Sequence, residues 1–234
     1  MKKIIVFVGN FGSGKTELSL NFALRAAKSG RTELIDLDMV NTYFRLSERR
    51  TLIDAHEIKL VSPNYVSTNV ETLSLPADVS SAFHMDRDTV IFDAGGDPAG
   101  ATALGRFKPD FDRLDDGQLE VYNVVNLRRP LSGTPEKIIA LMEEISIKSR
   151  LGITGLINNT NLAGLTSPEE LSDGYEALRL VSDETGIPVA YTTGKKDLLE
   201  AFLAQGYDPK YIGTPLAIET YLHRDWESYT KLGI

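Results

Sequence analysis

Apolar runs of strand length recur at 3–8 (KIIVFV), 33–37 (ELIDL), 89–93 (TVIFD), 119–126 (LEVYNVVN), 152–158 (GITGLIN) and 187–191 (IPVAY). Between most of them lie stretches with the spacing of amphipathic helices. This alternation predicts an α/β fold, a predominantly parallel sheet with helices on both faces. A parallel crossover needs a helix, and strands buried on both sides read as continuous apolar runs. Thr134-Pro135 opens one helix at 134–148, with Ile138, Leu141, Met142 and Ile145 on one face. Ser167-Pro168-Glu169-Glu170 has the form of a capping box ahead of Leu171, Tyr175 and Leu178.

A first helix over 15–29 carries Leu18, Phe22, Leu24, Ala26 and Ala27, and is expected to end at Gly30 in a left-handed cap. The region 39–86 is less regular, with Pro63, Asn64 and Pro76. It predicts a helix near 46–56 and short strands, an excursion and not a separate domain. In 197–230, helix-like spacing occurs at Leu198, Leu199, Phe202 and Leu203, and again at Leu216, Ile218, Tyr221 and Leu222. There is no internal repeat or low-complexity linker, so residues 1–234 are expected to form a single domain.

Composition narrows the possibilities. Hydrophobic residues make up 42% and charged residues 25%, the proportions of an ordinary globular chain. No apolar run approaches the roughly 18 residues needed to span a bilayer. The opening MKKIIVFVGN meets a glycine loop and not a signal-peptide cleavage site, so the cytoplasm is the expected location. With no cysteine, disulfides, thiolate zinc sites, cysteine nucleophiles and a self-held iron–sulfur cluster are excluded. A net charge of −8 argues against a broad nucleic-acid footprint. His56, His84 and His223 have no metal-ligand spacing.

The chemistry concentrates first in VFVGNFGSGKTELSL, 6–20. Its residues Gly9, Asn10, Phe11, Gly12, Ser13, Gly14, Lys15 and Thr16 fit GxxxxGK[ST], the phosphate-binding loop, between a strand and a helix. Backbone N–H groups from Gly12 to Thr16 can wrap a polyphosphate, Lys15 can reach its β- and γ-oxygens, and the Thr16 hydroxyl suits Mg²⁺. Asp93 closes TVIFD, where a carboxylate can orient Mg²⁺ through water, and Gly96 stands at DxxG spacing, able to offer an N–H to a γ-phosphate. An aspartate ending a strand is also a common turn former, and the loop upstream tips the reading. Asp36 and Asp38, two apart at a strand end, project the same way, one suited to a hydrated metal and the other to an attacking water.

Together, GNFGSGKTE, LIDLD and VIFDAGGD resemble, in this order and spacing, the MinD/ParA/Mrp and nitrogenase-iron-protein superfamily of P-loop ATPases, which is grouped with the CobQ/CobB nucleotide-binding domains. The resemblance implies a three-layer nucleotide-binding domain, ATP and Mg²⁺ as cofactors, Asp38 beside the attacking water and Asp36 on the metal side. GITGLINNTNLAG resembles the family strand whose terminal asparagine contacts adenine, with Asn159 the better match and Asn158 next; both residues also suit a plain strand end. NNTN at 158–161 lacks the aspartate of NKxD, which favours ATP over GTP. One departure is Asn10, where many members carry a lysine that reaches a dimer partner's nucleotide. That bridge is not expected here, although a homodimer through other surfaces stays open.

Two basic segments are candidates for clamping a second anion or the transferred phosphate: Arg45 with Arg49 and Arg50, and Arg128 with Arg129 in NLRRP. Tyr43 and Phe44 suit packing under a switch loop or against a partner. TTGKKDL, 192–198, is expected on the base side, with Lys195 and Lys196 solvated. The expected function is an ATPase switch for an unknown protein partner. Transfer of phosphate to a small anionic acceptor, in the manner of CobQ/CobB or dethiobiotin synthetase, and nucleotide binding with negligible turnover are the alternatives.

Overall fold

The computed structural model describes residues 2–38, 46–62, 77–84, 86–96 and 98–222, and of residues 77, 78, 98 and 99 the backbone alone. Its centre is one eight-stranded, all-parallel sheet: β1 (Lys3–Val8), β2 (Thr32–Asp36), β3 (Lys59–Val61), β4 (Thr89–Asp93), β5 (Leu119–Val125), β6 (Gly155–Asn158), β7 (Val189–Gly194) and β8 (Thr214–Ala217). The order is β3-β2-β4-β1-β5-β6-β7-β8. The chain leaves β1 toward one edge and later builds the other, so β1 stands where the direction of winding reverses. In open α/β sheets, ligands bind at the carboxyl end of such a strand.

The apolar runs are explained by burial on both faces. Along β1, Ile4, Val6 and Val8 enter a core beneath α3 (Ala77–His84), α4 (Pro98–Gly105) and α5 (Lys108–Phe111). Ile5 and Phe7 face the opposite core, under α1 (Lys15–Ala26) and α2 (Arg50–Ala55). Phe7 and Phe92 are fully buried, each contributing ~1.5–3 kcal/mol by removal from water. Helix α6 (Pro135–Ser149) begins at Thr134, whose side chain accepts from the Lys137 amide, and α7 (Pro168–Thr185) carries the capping box of Ser167 and Glu170. These two helices pack Ile138, Met142, Leu178 and Val181 against β5 to β7.

Several expectations are corrected. The first helix ends at Ala26 with a right-handed Ala27, and Gly30 instead lies tight against Asp88, where a Cβ would come within 2.9 Å of that side chain. The 46–56 helix splits into a 3-10 turn, Leu46–Arg49, and the short α2. β7 runs on past Tyr191 because the hydroxyls of Thr192 and Thr193 are satisfied internally, by Ile212 O at 2.8 Å and by Asn159 Oδ1 at 2.7 Å. Of 197–230, the first half forms α8 (Lys196–Leu203), but Leu216 lies on β8, an edge strand that tolerates Pro215.

Beyond β8, residues 217–222 form a strap along α1. Arg25 donates to Ala217 O, Asn21 exchanges two hydrogen bonds with the Glu219 backbone, and the Glu17 carboxylate accepts from Tyr221 N at 2.7 Å and Leu222 N at 3.0 Å. Burial pushes the Glu17 carboxyl above its usual range, against the pull of those two amides. No helix among the described residues is long and apolar enough to cross a membrane.

Candidate functional site

The loop 9–14 leaves β1 and enters α1 through three glycines in conformations that side chains disfavour: Gly9 at φ +132°, Gly12 at +71° and Gly14 at +94°. Gly9 lies flush against β5, so that a Cβ would stand 2.4 Å from Val124 O. Gly14 caps α1 with no side-chain hydrogen bond. With no side-chain cap, the N–H groups of the first helical turn can serve whatever the loop encloses, and the helix end is electropositive. Lys15 is buried and folds back over the loop, donating to Gly9 O at 3.1 Å and Asn10 O at 2.9 Å.

Two carboxylates meet this loop at the same sheet edge. Asp36 and Asp93 are register partners on adjacent β2 and β4, and Leu37 N donates to Asp93 O at 2.8 Å. Asp93 is 1% exposed. Its Oδ1 accepts from Ser19 Oγ at 3.3 Å, while Oδ2 has no hydrogen-bond partner among the described residues. Burial pushes its pKa up to about 7; Lys15 and the Thr16 and Ser19 hydroxyls pull it down, and the charge of Asp38 adds to the rise. The half-buried Asp38 follows the end of β2, its amide donating to Asp36 Oδ1 at 3.0 Å.

Ser13 Oγ and Asn123 Oδ1, beside the same loop, are also buried without a hydrogen-bond partner among the described residues. Buried polar atoms seldom go unpaired, and their concentration here fits a site that takes a polar ligand. Asp36, Asp38 and Asp93 do not converge into a three-carboxylate cluster. Such a donor set suits Mg²⁺, which takes one or two carboxylates and completes its shell with water and phosphate.

Gly96 closes the loop from above. A Cβ there would come 2.5 Å from Phe11 N, 2.6 Å from Phe11 Cα and 2.8 Å from Lys15 Nζ. Gly96→Ala is accordingly expected to lose stability, since the methyl meets backbone atoms of Phe11 that must shift, and to hold the 94–96 segment off the loop. Any nucleotide turnover of the wild type should fall about 100-fold, the scale of an ångström's misplacement. Steady-state turnover beside a melting curve checks this.

No family model matches the chain, and no curated protein matches it in sequence. Among solved structures, the cell division protein FtsY of Thermotoga maritima aligns with a TM-score of 0.55 at 17% identity, over 85% of this chain and 63% of that one. Chloroplast FtsY of Physcomitrella patens aligns with a TM-score of 0.56 at 20% identity, over 82% and 58%. The signal recognition particle receptor FtsY of Elizabethkingia anophelis, in complex with GDP, gives 0.51 at 18%, over 82% and 57%. The chain has the P-loop NTPase fold. At these identities the likeness is one of fold alone, and the chain spans less than two thirds of each neighbour's length.

Within this P-loop NTPase fold the remaining candidates separate. Asn159 is 4% exposed and braces the loop, donating to Ser13 O at 2.7 Å while its Oδ1 accepts from Thr193. Asn158 points elsewhere: its amide donates to Leu171 O at 3.0 Å and its Oδ1 accepts from Thr160 N at 3.2 Å, tying β6 to α7. Asn10 is buried and Phe11 is 59% exposed. Arg128 is drawn to Asp173 at 2.5 Å and Glu170 at 3.8 Å on α7, whereas Arg129 lies on the loop, its Nε donating to Gly12 O at 2.9 Å.

Arg49 and Arg50 are not in the site: Arg49 bonds Tyr221 O in the strap, and Arg50 pairs with Asp54. Arg45, Tyr43, Phe44 and His223 lie outside the described residues. Lys195 and Lys196 are exposed, at the start of α8. Ser19 and Thr193 belong to the site but were not singled out by the sequence. Ser19 had a faint signal, standing one helical turn beyond Thr16 on the same face, while Thr193 had none.

Proposed function

We propose that this chain is a Mg²⁺-dependent ATPase of the MinD/ParA/Mrp kind that uses hydrolysis as a conformational switch for a protein partner, in the cytoplasm. One observation carries the reading. An uncapped helix N-terminus, a lysine folded onto the loop it would vacate, and a buried carboxylate with an unpaired oxygen all converge on one glycine loop at the sheet's winding reversal. Thr16 and Asp93 would hold the metal, with Asp36 behind them, and bound Mg²⁺ would supply charge neutralisation for the phosphates. Lys15 exchanges two carbonyl partners for phosphate oxygens. Asp38 orients the attacking water, and Gly96 reports the state of the phosphates by opening or closing on Phe11.

For the base, the solved FtsY in complex with GDP supports guanine, and the sequence here supports adenine. Asn161 stands where NKxD has its aspartate, and its carboxamide is occupied locally, by Asn159 O at 2.7 Å and by Ala163 N at 3.2 Å. It lacks the carboxylate that would accept from a guanine edge, so we assign ATP. Hydrolysis is favoured over transfer by the space available. The cavity beside Gly9, Gly95 and Gly96 is about 100 Å³ and is walled by Val8, Ala101, Leu131, Leu141 and Ile145 together with Glu144 and Lys148, which pair with each other. Small-molecule sites run from about 300 Å³, so this one is small for an acceptor, and its lysine is engaged by Glu144.

Calorimetric titration with ATP and GTP, with and without Mg²⁺, tests the reading. The wild type is expected to bind Mg²⁺–ATP more tightly than Mg²⁺–GTP. Lys15→Ala should lose about 100-fold in affinity, the scale of a charge-assisted contact worth ~3 kcal/mol. Equal affinity of wild type and Lys15→Ala would sink the assignment.

A further inference from the structure

We propose that Arg129 is a phosphate-binding guanidinium supplied by the same chain, lying over the crest of the loop to grasp the end of the nucleotide's phosphate chain; this rests on the nucleotide reading above. The two adjacent arginines of NLRRP are chemically alike but differently employed. Arg128 is neutralised by two carboxylates of α7. Arg129 is exposed, and it forms no ion pair among the described residues; its Nε donates to a backbone carbonyl, Gly12 O. An arginine needs no such placement to bond one carbonyl, whereas a fork of N–H donors held beside a phosphate loop suits a phosphate oxyanion.

The backbone that carries Arg129 is built to stay in place. Asn126, fully buried at the end of β5, donates to Asn161 O at 3.1 Å, and its Oδ1 accepts from Arg128 N at 3.0 Å and Asn161 N at 3.3 Å. Its carbonyl accepts from Arg129 N at 3.1 Å and from Ser132 Oγ at 2.7 Å. The side chain then lies flat on Gly12, where a Cβ would stand 3.1 Å from Nε and 3.3 Å from Cζ, so the glycine provides the berth. Gly12 lies two residues before Gly14, which caps α1, in the stretch whose amides would wrap the polyphosphate. A guanidinium berthed on Gly12 would meet the charge that a triphosphate adds over a diphosphate, and one chain would complete its own site.

A merely bracing role for Arg129, acting through Gly12 O, predicts equal losses for diphosphate and triphosphate; a phosphate contact predicts unequal ones. The experiment is titration of wild type, Lys15→Ala, Arg129→Ala and Arg129→Lys with ADP and a non-hydrolysable ATP analogue, both with Mg²⁺. Arg129→Ala is expected to weaken the triphosphate about 10-fold and the diphosphate by less than about 3-fold, with Arg129→Lys between. Wild-type turnover per chain should not depend on protein concentration. If Arg129→Ala unfolds, Arg129→Gln, which can still donate to Gly12 O, gives the same comparison.

Equal losses for the two nucleotides, or no loss, overturn the role of Arg129 while a Lys15-dependent affinity leaves the nucleotide reading standing. If the wild type binds neither nucleotide, both fall together.

Discussion

Replacing Asp93 with asparagine is expected to raise the melting temperature of the nucleotide-free protein at pH 8 and, in the same molecule, to remove Mg²⁺-dependent turnover. The two effects share one cause. Asp93 is buried at the sheet edge with one oxygen unpaired, and burial lifts its pKa from 3.8 to about 7. Because the folded value is raised, the unfolded chain gives up this proton more readily. The stability that the protonated form contributes is full below about 3.8 and is lost as pH rises to about 7. Asparagine does not titrate.

The difference in melting temperature between variant and wild type should therefore widen from pH 4 to pH 7 and stay level above. At about 1.4 kcal/mol per pKa unit and about 2–4 °C per kcal/mol for a chain of this size, the gain is on the order of 10 °C. Mg²⁺ with nucleotide should erase it, since only the wild type offers the cation a carboxylate. Melting curves across this pH range, with turnover alongside, check both halves. A level difference would mean that Asp93 titrates as it does in water.

Gly9→Ala is expected to cost about 3 kcal/mol or more, seen as a lower urea midpoint at unchanged slope. Two penalties combine at this residue. Its φ of +132° is one that alanine adopts only under strain, and the added methyl would stand 2.4 Å from Val124 O and 3.2 Å from Val124 N, backbone atoms of a central strand that cannot swing aside. Gly12→Ala makes the contrast: its φ of +71° is also strained, but the nearest atoms to its methyl belong to the Arg129 side chain, which can move. A midpoint for Gly9→Ala no lower than that for Gly12→Ala would show that the loop is not seated on β5 as described.

The phosphate loop was legible because its causes are local. Glycines at 9, 12 and 14 take conformations that other residues resist, and the lysine and threonine follow in the first turn of the helix they begin. β1 and β4 were legible because burial on both faces leaves an unbroken apolar run. Where polar groups are satisfied inside the protein, the pattern misleads: Thr192 and Thr193 look like a strand's end but are its buried core. The helix Pro98–Gly105, rich in alanine and glycine, carried no amphipathic stripe to announce it. In the last segment, Leu216 and Leu222 are both buried but belong to a strand and a strap, and a short apolar spacing cannot tell these from a helix. Arg128 and Arg129 could not be separated by sequence because what divides them, Asp173 for one and Gly12 for the other, lies 45 and 117 residues away.

The strap has a consequence for how the protein comes into being. Glu17, directly after the lysine and threonine of the loop, receives its two amide partners from residues 204 and 205 positions later. At synthesis rates of about 5–20 residues per second, that carboxylate waits on the order of 10–40 s for them, and closure over so long a separation is intrinsically slow. During that interval, α1 stands without the cover that the finished molecule gives it. The helix that opens the phosphate site is thus made 204 residues before the first of the amides that enclose it.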